Sequence, residues 1–243
     1  LFGRQTPLAG EIIGAATHIL SSVPPDKDGD PVLDVHGQNL AAAQDLRWLG
    51  YLSTTGVYGD RKGGWVDEES KLSPAGQRGE RRCAAEAAWL TLRRDFAQAV
   101  HIFRLAGIYG PGRSALDTVR GGKAKRIVKP GQVFSRIHVA DIVQVLRASM
   151  ERPSPGAVYN VCDDAPAPPQ DVIAHACALL GVDPPPETPF EAAEMSDMGR
   201  SFWGENKRVR NARIKADLGV DLAYPDYRAG LEALLAAEGS NGG

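Results

Sequence analysis

Three consecutive hydroxyl side chains, Ser53, Thr54 and Thr55, follow an apolar run from Trp48 to Leu52. Hydroxyl groups hydrogen-bond ligands and orient protons that move during a reaction. The run is apolar at both alternating sets of positions, which predicts a buried parallel strand. Ligands of open α/β sheets bind at the carboxyl ends of such strands. The hydroxyls are therefore candidate site residues, although capping of the next turn explains them equally well.

A cluster of arginines, Arg78, Arg81 and Arg82, lies in the first turns of the long helix predicted after these hydroxyls. Basic residues at that end oppose the helix dipole and need an explanation. One explanation is a solvated face whose charge is offset by solvent or by Glu80 and the acidic residues 67–69. The other is an anionic ligand that binds the arginines. The residues alone leave both open.

Strand patterns alternate with helix patterns along the chain. This alternation predicts an α/β fold, a doubly wound parallel sheet with right-handed crossovers. The predicted strands are 17–23, 48–52, 99–109 and 156–162, with shorter ones at 126–129 and 133–139. The predicted helices are 31–44, 75–96, 114–121, 141–150, 171–180, 190–198 and 227–237. In helix 75–96 we expect the apolar face to run through Ala84, Ala88, Leu90 and Leu92.

The proline-rich stretch 165–169 predicts a domain boundary. Residues 1–165 then form a dinucleotide-binding core, and residues 166–243 form a small C-terminal substrate lobe. Residues 109–132 of the core are expected to contribute to this lobe as well. Leu1 and Phe2 resemble the tail of a strand, and the glycine-rich C-terminus predicts disorder. We expect about 50 to 70 further N-terminal residues, forming two βα units of the fold.

Bulk composition narrows the functional class. The chain has 243 residues, a formal charge of −2 and 43% hydrophobic residues, which is typical of a globular protein. There is no basic, aromatic-studded stripe for nucleic acid and no apolar run long enough for a membrane span. Three widely spaced cysteines, Cys83, Cys162 and Cys177, favour reduced thiols over disulfides or a metal site. These features predict a cytoplasmic protein.

Four short motifs occur in a fixed order at consistent spacing. They are Ser-Thr-Thr-Gly-Val-Tyr-Gly at 53–59, Arg-Leu-Ala-Gly-Ile-Tyr-Gly-Pro at 104–111, Ile-His-Val-Ala-Asp at 137–141 and Tyr-Asn-Val at 159–161. Together they resemble the extended short-chain dehydrogenase/reductases, the family of nucleotide-sugar epimerases and dehydratases. The resemblance covers about residues 17–161. It implies a Rossmann-like core, NAD or NADP as cofactor, and hydride transfer on a sugar nucleotide or a similar anionic metabolite.

The resemblance also implies roles for individual residues. Thr54 matches the catalytic Ser/Thr of the family. The implied cofactor-binding residues are Ser21, Ser22, Val23, Ser53, Ala106, Gly107 and Ile108. The implied substrate-binding residues are Thr55, Tyr58, Arg113 and Arg136. His138 and Asp141 are expected to fasten the helix that follows them, and the family allows a homodimer.

The family's glycine-rich phosphate-binding turn has no counterpart before Ser21. Gly3, Gly10 and Gly14 lack its spacing and the strand that should precede it. The choice between NAD and NADP rests on a residue after the second strand of the fold, so it stays open here.

The family's catalytic Tyr-x-x-x-Lys pair is also replaced. Alignment on the acidic Glu86 places Arg78 at the tyrosine position and Arg82 at the lysine position. Arginine stays protonated and cannot serve as the general base, but it can clamp an anion or stabilise negative charge. Three functions therefore remain: an epimerase-type enzyme with a non-standard active site, a sugar-nucleotide reductase, and a non-catalytic protein that senses a dinucleotide or metabolite.

Overall fold

The computed structural model describes residues 4 and 6–240. Its strands are β1 (His18–Ser21), β2 (Trp48–Thr54), β3 (Trp65–Val66), β4 (Val100–Leu105), β5 (Gly107–Tyr109), β6 (Arg126–Val128), β7 (Arg136–His138), β8 (Val158–Val161), β9 (Glu187–Pro189) and β10 (Arg208–Val209). Its helices are α1 (Gly10–Gly14), α2 (Pro31–Ala42), α3 (Gln77–Phe96), α4 (Ala115–Arg120), α5 (Val139–Glu151), α6 (Pro169–Leu179), α7 (Asp197–Trp203), α8 (Ala212–Leu218) and α9 (Tyr227–Ser240). The strand tail expected at residues 1–2 and the glycine-rich end, 241–243, lie outside the described residues.

A parallel sheet with strand order β1-β2-β4-β8 forms the centre of the molecule. Side chains alternate across it, as the pleat requires. Leu49 and Tyr51 of β2 pack towards α2 and α3, in one apolar cluster with Trp89. Trp48 of β2 and Phe103 of β4 belong to a second cluster, on the face covered by α5 and α8. Both faces of the sheet are buried at β2, β4 and β8, whereas His18 and Leu20 of the edge strand β1 are exposed. The predicted α/β fold with a doubly wound parallel sheet is confirmed.

Helix α2 begins at a well-formed cap. The Asp30 carboxylate accepts hydrogen bonds from the backbone N–H groups of Val32 and Leu33, and Pro31 occupies the first helical position. The second carboxylate oxygen of Asp30 accepts a hydrogen bond from Nε1 of Trp89 at 2.9 Å. This bond joins the start of α2 to the middle of α3.

The apolar face predicted for α3 is wrong at Ala84 and Ala88, whereas Leu92 is buried and Leu90 is half-buried as predicted. Ala84 and Ala88 are exposed, and the buried residues are Ala85, Glu86, Trp89 and Leu92. The prediction failed because the buried face contains a charged residue, Glu86, which a search for apolar residues alone passes over. The position of that carboxylate matters for the candidate site below.

The helix predicted over 190–198 is also wrong. Residues Phe190–Ala192 form a single 3-10 turn after the short strand β9, and α7 begins only at Asp197. The hydroxyl of Ser196 accepts a hydrogen bond from the backbone N–H of Gly199 and so caps α7. The cap makes α7 begin at Asp197, near the end of the predicted helix 190–198.

A smaller layer packs against one end of the sheet. Strand β6 pairs with β9, and helices α4, α6 and α9 share an apolar cluster around Leu116, Ala176 and Leu231. Residues from 109–132 and from the C-terminal part therefore pack together, while the boundary at residue 165 stays a prediction. Within the described residues, no helix is long and apolar enough to cross a membrane.

His138 and Asp141 hold helix α5 in place, as the resemblance implies. Nδ1 of His138 accepts a hydrogen bond from the backbone N–H of Ala140 and caps α5. The carboxylate of Asp141, which is fully buried, accepts from the backbone N–H groups of Ala223 and Tyr224. His138 and Asp141 thus fasten α5 and the segment before α9, as expected from the resemblance.

Candidate functional site

The three hydroxyls at the end of β2 differ in their surroundings. Ser53 is buried, and its hydroxyl donates to Oε1 of Glu86 at 2.5 Å. Thr55 is buried at the start of a 3-10 turn. Thr54 is half-buried, and its Oγ1 accepts from the backbone N–H of Gly56 at 3.1 Å. Capping uses a lone pair of Thr54 and leaves its O–H free to donate, so the capping and ligand-binding interpretations are compatible.

The turn after β4 lies beside Thr54. Thr54 is paired in register with Leu105, the last residue of β4, and the chain then passes through Ala106 into β5. Ala106 is buried, Gly107 is exposed and Ile108 is half-buried. The structure thus brings Thr54 together with the turn that the resemblance assigns to the nicotinamide.

The predicted cofactor residues after β1 lie one strand further along the sheet. Ser21 pairs with Tyr51 of β2, Ser22 is exposed and Val23 is half-buried. The hydroxyl of Ser21 is buried and has no hydrogen-bond partner among the described residues. A buried polar atom without a partner is uncommon and is satisfied if a polar ligand binds there.

A buried polar network lies beneath Thr54. Arg104 of β4 forms a two-point contact with Glu86, with Nη2 2.7 Å from Oε2 and Nε 3.1 Å from Oε1. Its Nη1 donates to the Tyr58 hydroxyl at 2.9 Å, and that hydroxyl donates to Oδ1 of Asn160 at 2.7 Å. With Ser53, these residues fix the end of β2 against α3, β4 and β8.

Tyr58, expected to bind substrate, instead belongs to this network. The side chain is fully buried, and burial raises the pKa of its hydroxyl to about 12, with Arg104 opposing the shift. All of its polar contacts are with the protein. Sequence reasoning missed the ion pair itself, although a signal existed: Arg104 is a charged residue within an otherwise apolar strand, which implies a buried partner.

The two arginines at the Tyr-x-x-x-Lys positions make different contacts. Nη1 of Arg82 donates to the Tyr51 hydroxyl at 2.9 Å and to the carbonyl of Leu52 at 2.8 Å. Arg78 is exposed, and its guanidinium lies 5.4 Å from the centre of the Phe202 ring. Neither arginine forms an ion pair with Glu80 or the acidic loop, so a solvated face would rely on solvent alone to offset the charge of the exposed Arg78. Arg82 is held against β2 just before the hydroxyls.

A cleft of 510 Å³ opens next to this edge of the sheet. Tyr109, at the end of β5, forms part of its wall, so the cleft begins one residue beyond the turn 106–108. Its lining includes four cationic side chains, Arg113, Lys123, Lys125 and Arg136, and the aromatic residues Trp203 and Tyr227.

The charge of the cleft lining is strongly positive. Asp117 is the one acidic residue among the lining residues, and its carboxylate is already bound to the backbone N–H and hydroxyl of Ser114 at the start of α4. Of the cations, Lys125 donates to the carbonyl of Glu194, while Arg113 and Lys123 have no side-chain partner among the described residues. The cleft is therefore suited to an anionic ligand.

Helix α9 sets the position of Tyr109. The tyrosine hydroxyl donates to the carbonyl of Asp226 at 3.3 Å, and its ring lies against Gly230. A Cβ atom at position 230 would lie 2.0 Å from the tyrosine oxygen, so a larger residue there forces the ring to move. Sequence reasoning missed this contact because the two residues are far apart in the chain.

No family model matches the chain. Over 188 residues it is 30% identical to Protein YeeZ of Escherichia coli, a match that covers 76% of this chain and 62% of YeeZ. The chain thus spans less than two thirds of the curated relatives it matches. A protein of unknown function from Silicibacter pomeroyi is 57% identical, with a TM-score of 0.86 over 92% of this chain and 78% of that one.

A second solved structure carries a family description. It is a candidate NAD-dependent epimerase/dehydratase from Methylobacillus flagellatus, 25% identical, with a TM-score of 0.70 over 95% of this chain and 81% of that one. The chain is thus similar to the epimerase/dehydratase-like proteins among the extended short-chain dehydrogenase/reductases. A dTDP-glucose 4,6-dehydratase from Bacillus anthracis in complex with NAD, 17% identical, has a TM-score of 0.73 over 96% of this chain and 77% of that one; this likeness shows the fold alone.

The family's cofactor fits part of the described chain. For the nicotinamide end, the residues present are Thr54 with its free O–H and the turn 106–108, where Gly107 is exposed. The unpartnered hydroxyl of Ser21 offers a polar contact at the same edge of the sheet. Within residues 4 and 6–240, no group of His, Cys, Asp and Glu side chains has the arrangement of a metal site.

Proposed function

We propose that this protein is an NAD(P)-dependent enzyme of the epimerase/dehydratase type that acts on a sugar nucleotide or a similar anionic metabolite. The observation that carries the proposal is the placement of the half-buried Thr54 hydroxyl next to Leu105, from which the chain leads through residues 106–108 to Tyr109 in the wall of a cleft with four cationic side chains. A reacting hydroxyl at the sheet edge and an anionic group in the cleft are bound by one ligand that spans both.

The bound cofactor supplies the hydride chemistry, and the protein residues position the reactants. Thr54 donates its free O–H to the substrate oxygen that gains or loses charge, while its Oγ1 stays fixed by Gly56. The turn 106–108 supports the nicotinamide ring. Arg113 and Arg136 bind the anionic group in the cleft, where charge-assisted hydrogen bonds are strongest.

The general base is not a tyrosine of the usual pair. Arg82 is bound to Tyr51 and Leu52 and stabilises negative charge close to Thr54 from that fixed position. Arg78 reaches towards α7 and contacts Phe202. We propose that both arginines act as an anion clamp that stabilises negative charge on the substrate oxygen. The proton that this oxygen loses passes to solvent, because arginine stays protonated and cannot accept it.

A second function, a non-catalytic sensor of a dinucleotide or metabolite, is favoured by the same arginines. Arginine at both positions removes the phenolate–lysine pair, and the contacts of Arg82 are with protein groups. Such a protein keeps the cofactor site and the cationic cleft but performs no turnover. The two candidates share every binding residue and differ in chemistry alone.

The test that separates the two functions measures binding and turnover together. NAD and NADP, reduced and oxidised, are titrated by fluorescence, and UDP-, dTDP- and GDP-sugars are then added while absorbance of the reduced cofactor and product formation are followed. Product formation lost in Thr54→Val supports the enzyme. Stoichiometric cofactor binding without any product supports the sensor. If neither the cofactor nor the sugar nucleotides bind, both proposals are refuted.

Two wider assignments accompany the proposal. We place the protein in the cytoplasm, because its three cysteines, Cys83, Cys162 and Cys177, are free thiols. We also keep the homodimer implied by the family. Sedimentation of the purified protein and its native redox state test these two assignments.

A further inference from the structure

A buried carboxylate lies behind the cationic wall of the cleft. Asp163, two residues after β8, is 1% exposed, and its backbone N–H donates to the carbonyl of Arg136 at 2.6 Å. Its Oδ1 accepts from the backbone N–H of Ala165 at 3.3 Å. Its Oδ2 is buried and has no hydrogen-bond partner in the part of the chain that the structure describes. A fully buried carboxyl oxygen without a donor is costly in the ionised form.

Arg136 lines the cleft on the other side of this contact. Its Nη1 donates to the carbonyls of Phe134 at 2.9 Å and Ala167 at 3.2 Å. Among the described residues no carboxylate lies within ion-pair distance of its guanidinium. A cation and a carboxyl group are therefore neighbours in the protein interior without forming an ion pair.

The groups around Asp163 and Arg136 explain why these two side chains do not form an ion pair. The titratable neighbours are Arg136 on β7, Tyr109 on β5, Tyr227 on α9, and Cys162 and Asp164 in the segment of Asp163 itself. Burial raises the pKa of Asp163 to about 8, although the charge of Arg136 acts in the opposite direction. Burial also raises the pKa of Tyr109, so this ring stays neutral. At neutral pH the carboxyl group holds its proton, and the charge of Arg136 is available to the cleft.

We propose that Asp163 is a positioning residue for Arg136 and that it couples anion binding in the cleft to the uptake of one proton. With its proton bound, Asp163 leaves the guanidinium to the ligand. When it loses the proton to solvent, the carboxylate attracts the guanidinium and competes with the ligand. The inference rests on the proposed function, since the cleft is the anion site in both.

The coupling has a measurable consequence. A ligand that binds only the protonated form loses affinity tenfold for each pH unit above the pKa of the group. Between about pH 7 and 9.5, a pKa near 8 weakens binding by about 10- to 30-fold.

The experiment uses sulfate, whose charge is constant over this range, as the probe anion. Its affinity for the full chain is measured by calorimetry at both pH values for wild type, Asp163→Asn and Arg136→Gln. Asp164→Asn is the matched control, because that neighbouring carboxylate is bound to Asn211 and Lys215 and does not contact the cleft. Wild type and Asp164→Asn should show the 10- to 30-fold loss, whereas Asp163→Asn should bind about equally at both pH values.

A second measurement does not depend on the folding of any variant. Sulfate binding to wild type near pH 8, in two buffers of different ionisation enthalpy, should be accompanied by uptake of up to one proton per site. Absence of proton uptake, or a pH profile of Asp163→Asn like that of wild type, overturns the coupling. If sulfate fails to bind, or binds Arg136→Gln as tightly as wild type, the anion site of the proposed function is refuted as well.

Discussion

The ion pair between Glu86 and Arg104 permits a quantitative test of what holds the site together. The two side chains are 3% and 6% exposed, and Arg104 has no other acidic partner among the described residues. Glu86→Gln keeps the shape of the side chain but leaves the guanidinium charge uncompensated. Breaking a buried pair in this way costs about 3 to 5 kcal/mol of unfolding free energy. For a chain of this size that corresponds to a fall in Tm of about 6 to 20 °C.

Thermal and urea unfolding, followed by circular dichroism, measure this loss. Glu80→Gln is the matched control, since Glu80 is an exposed acid on the same helix and should change stability by less than about 0.5 kcal/mol. The double variant Glu86→Gln/Arg104→Met removes the buried charge and should recover much of the stability, because an apolar replacement of a buried pair is often neutral. A loss below about 1 kcal/mol in Glu86→Gln, or a double variant less stable than Glu86→Gln, contradicts the reasoning.

Three further predictions concern the site. Thr54→Val should preserve folding and lower turnover by about 10- to 1000-fold, measured by steady-state kinetics, because it removes the free O–H beside the nicotinamide turn. Arg78→Gln and Arg82→Gln should each weaken binding of an anionic ligand by about 1.5 to 3 kcal/mol in calorimetry. Arg81→Gln should change it little, because Arg81 lies about 100° from Arg82 on the helix and donates a hydrogen bond to Gln77 instead. Asp163→Asn should flatten the fall in stability with pH. The folded carboxyl group holds its proton more tightly than the unfolded one, so this part of the stability is complete below about pH 4 and is lost as pH rises through about 8 in urea titrations.

Each of these predictions has an outcome that would contradict it. Unchanged turnover in Thr54→Val removes this residue from the mechanism and makes Ser53 and Thr55 the candidates. Equal ligand affinity in all three arginine variants refutes the anion clamp. For Asp163, the decisive result is the slope of stability between about pH 5 and 9: if Asp163→Asn keeps the wild-type slope, another group is responsible for it.

The central sheet could be predicted from the sequence because its strands are continuous apolar runs between turn-forming residues. Trp48, Leu49 and Tyr51 are all fully buried, which is what a parallel strand covered on both faces requires. The face of α3 could not be read in the same way. Its inward side includes Glu86, whose burial depends on a partner, Arg104, in a different strand.

The cleft was only partly predictable, for a different reason. The resemblance pointed to Arg113 and Arg136, while Lys123 and Trp203 carried no local signal. Their role depends on packing between 109–136 and residues 203–231, segments that meet only in the folded protein. Short-range patterns predict elements, but a cavity formed between distant segments has no pattern of its own.

The contact between Gly230 and Tyr109 gives the protein a way to change its ligand preference through a residue of helix α9. Gly230 of α9 lies against the ring of Tyr109, which ends β5 and forms part of the cleft wall. A single added methyl at position 230 displaces the tyrosine that separates the reacting edge from the anion site. A substitution at position 230 is therefore able to change the length of ligand that the cleft accepts, while Thr54 and its supporting network stay unchanged.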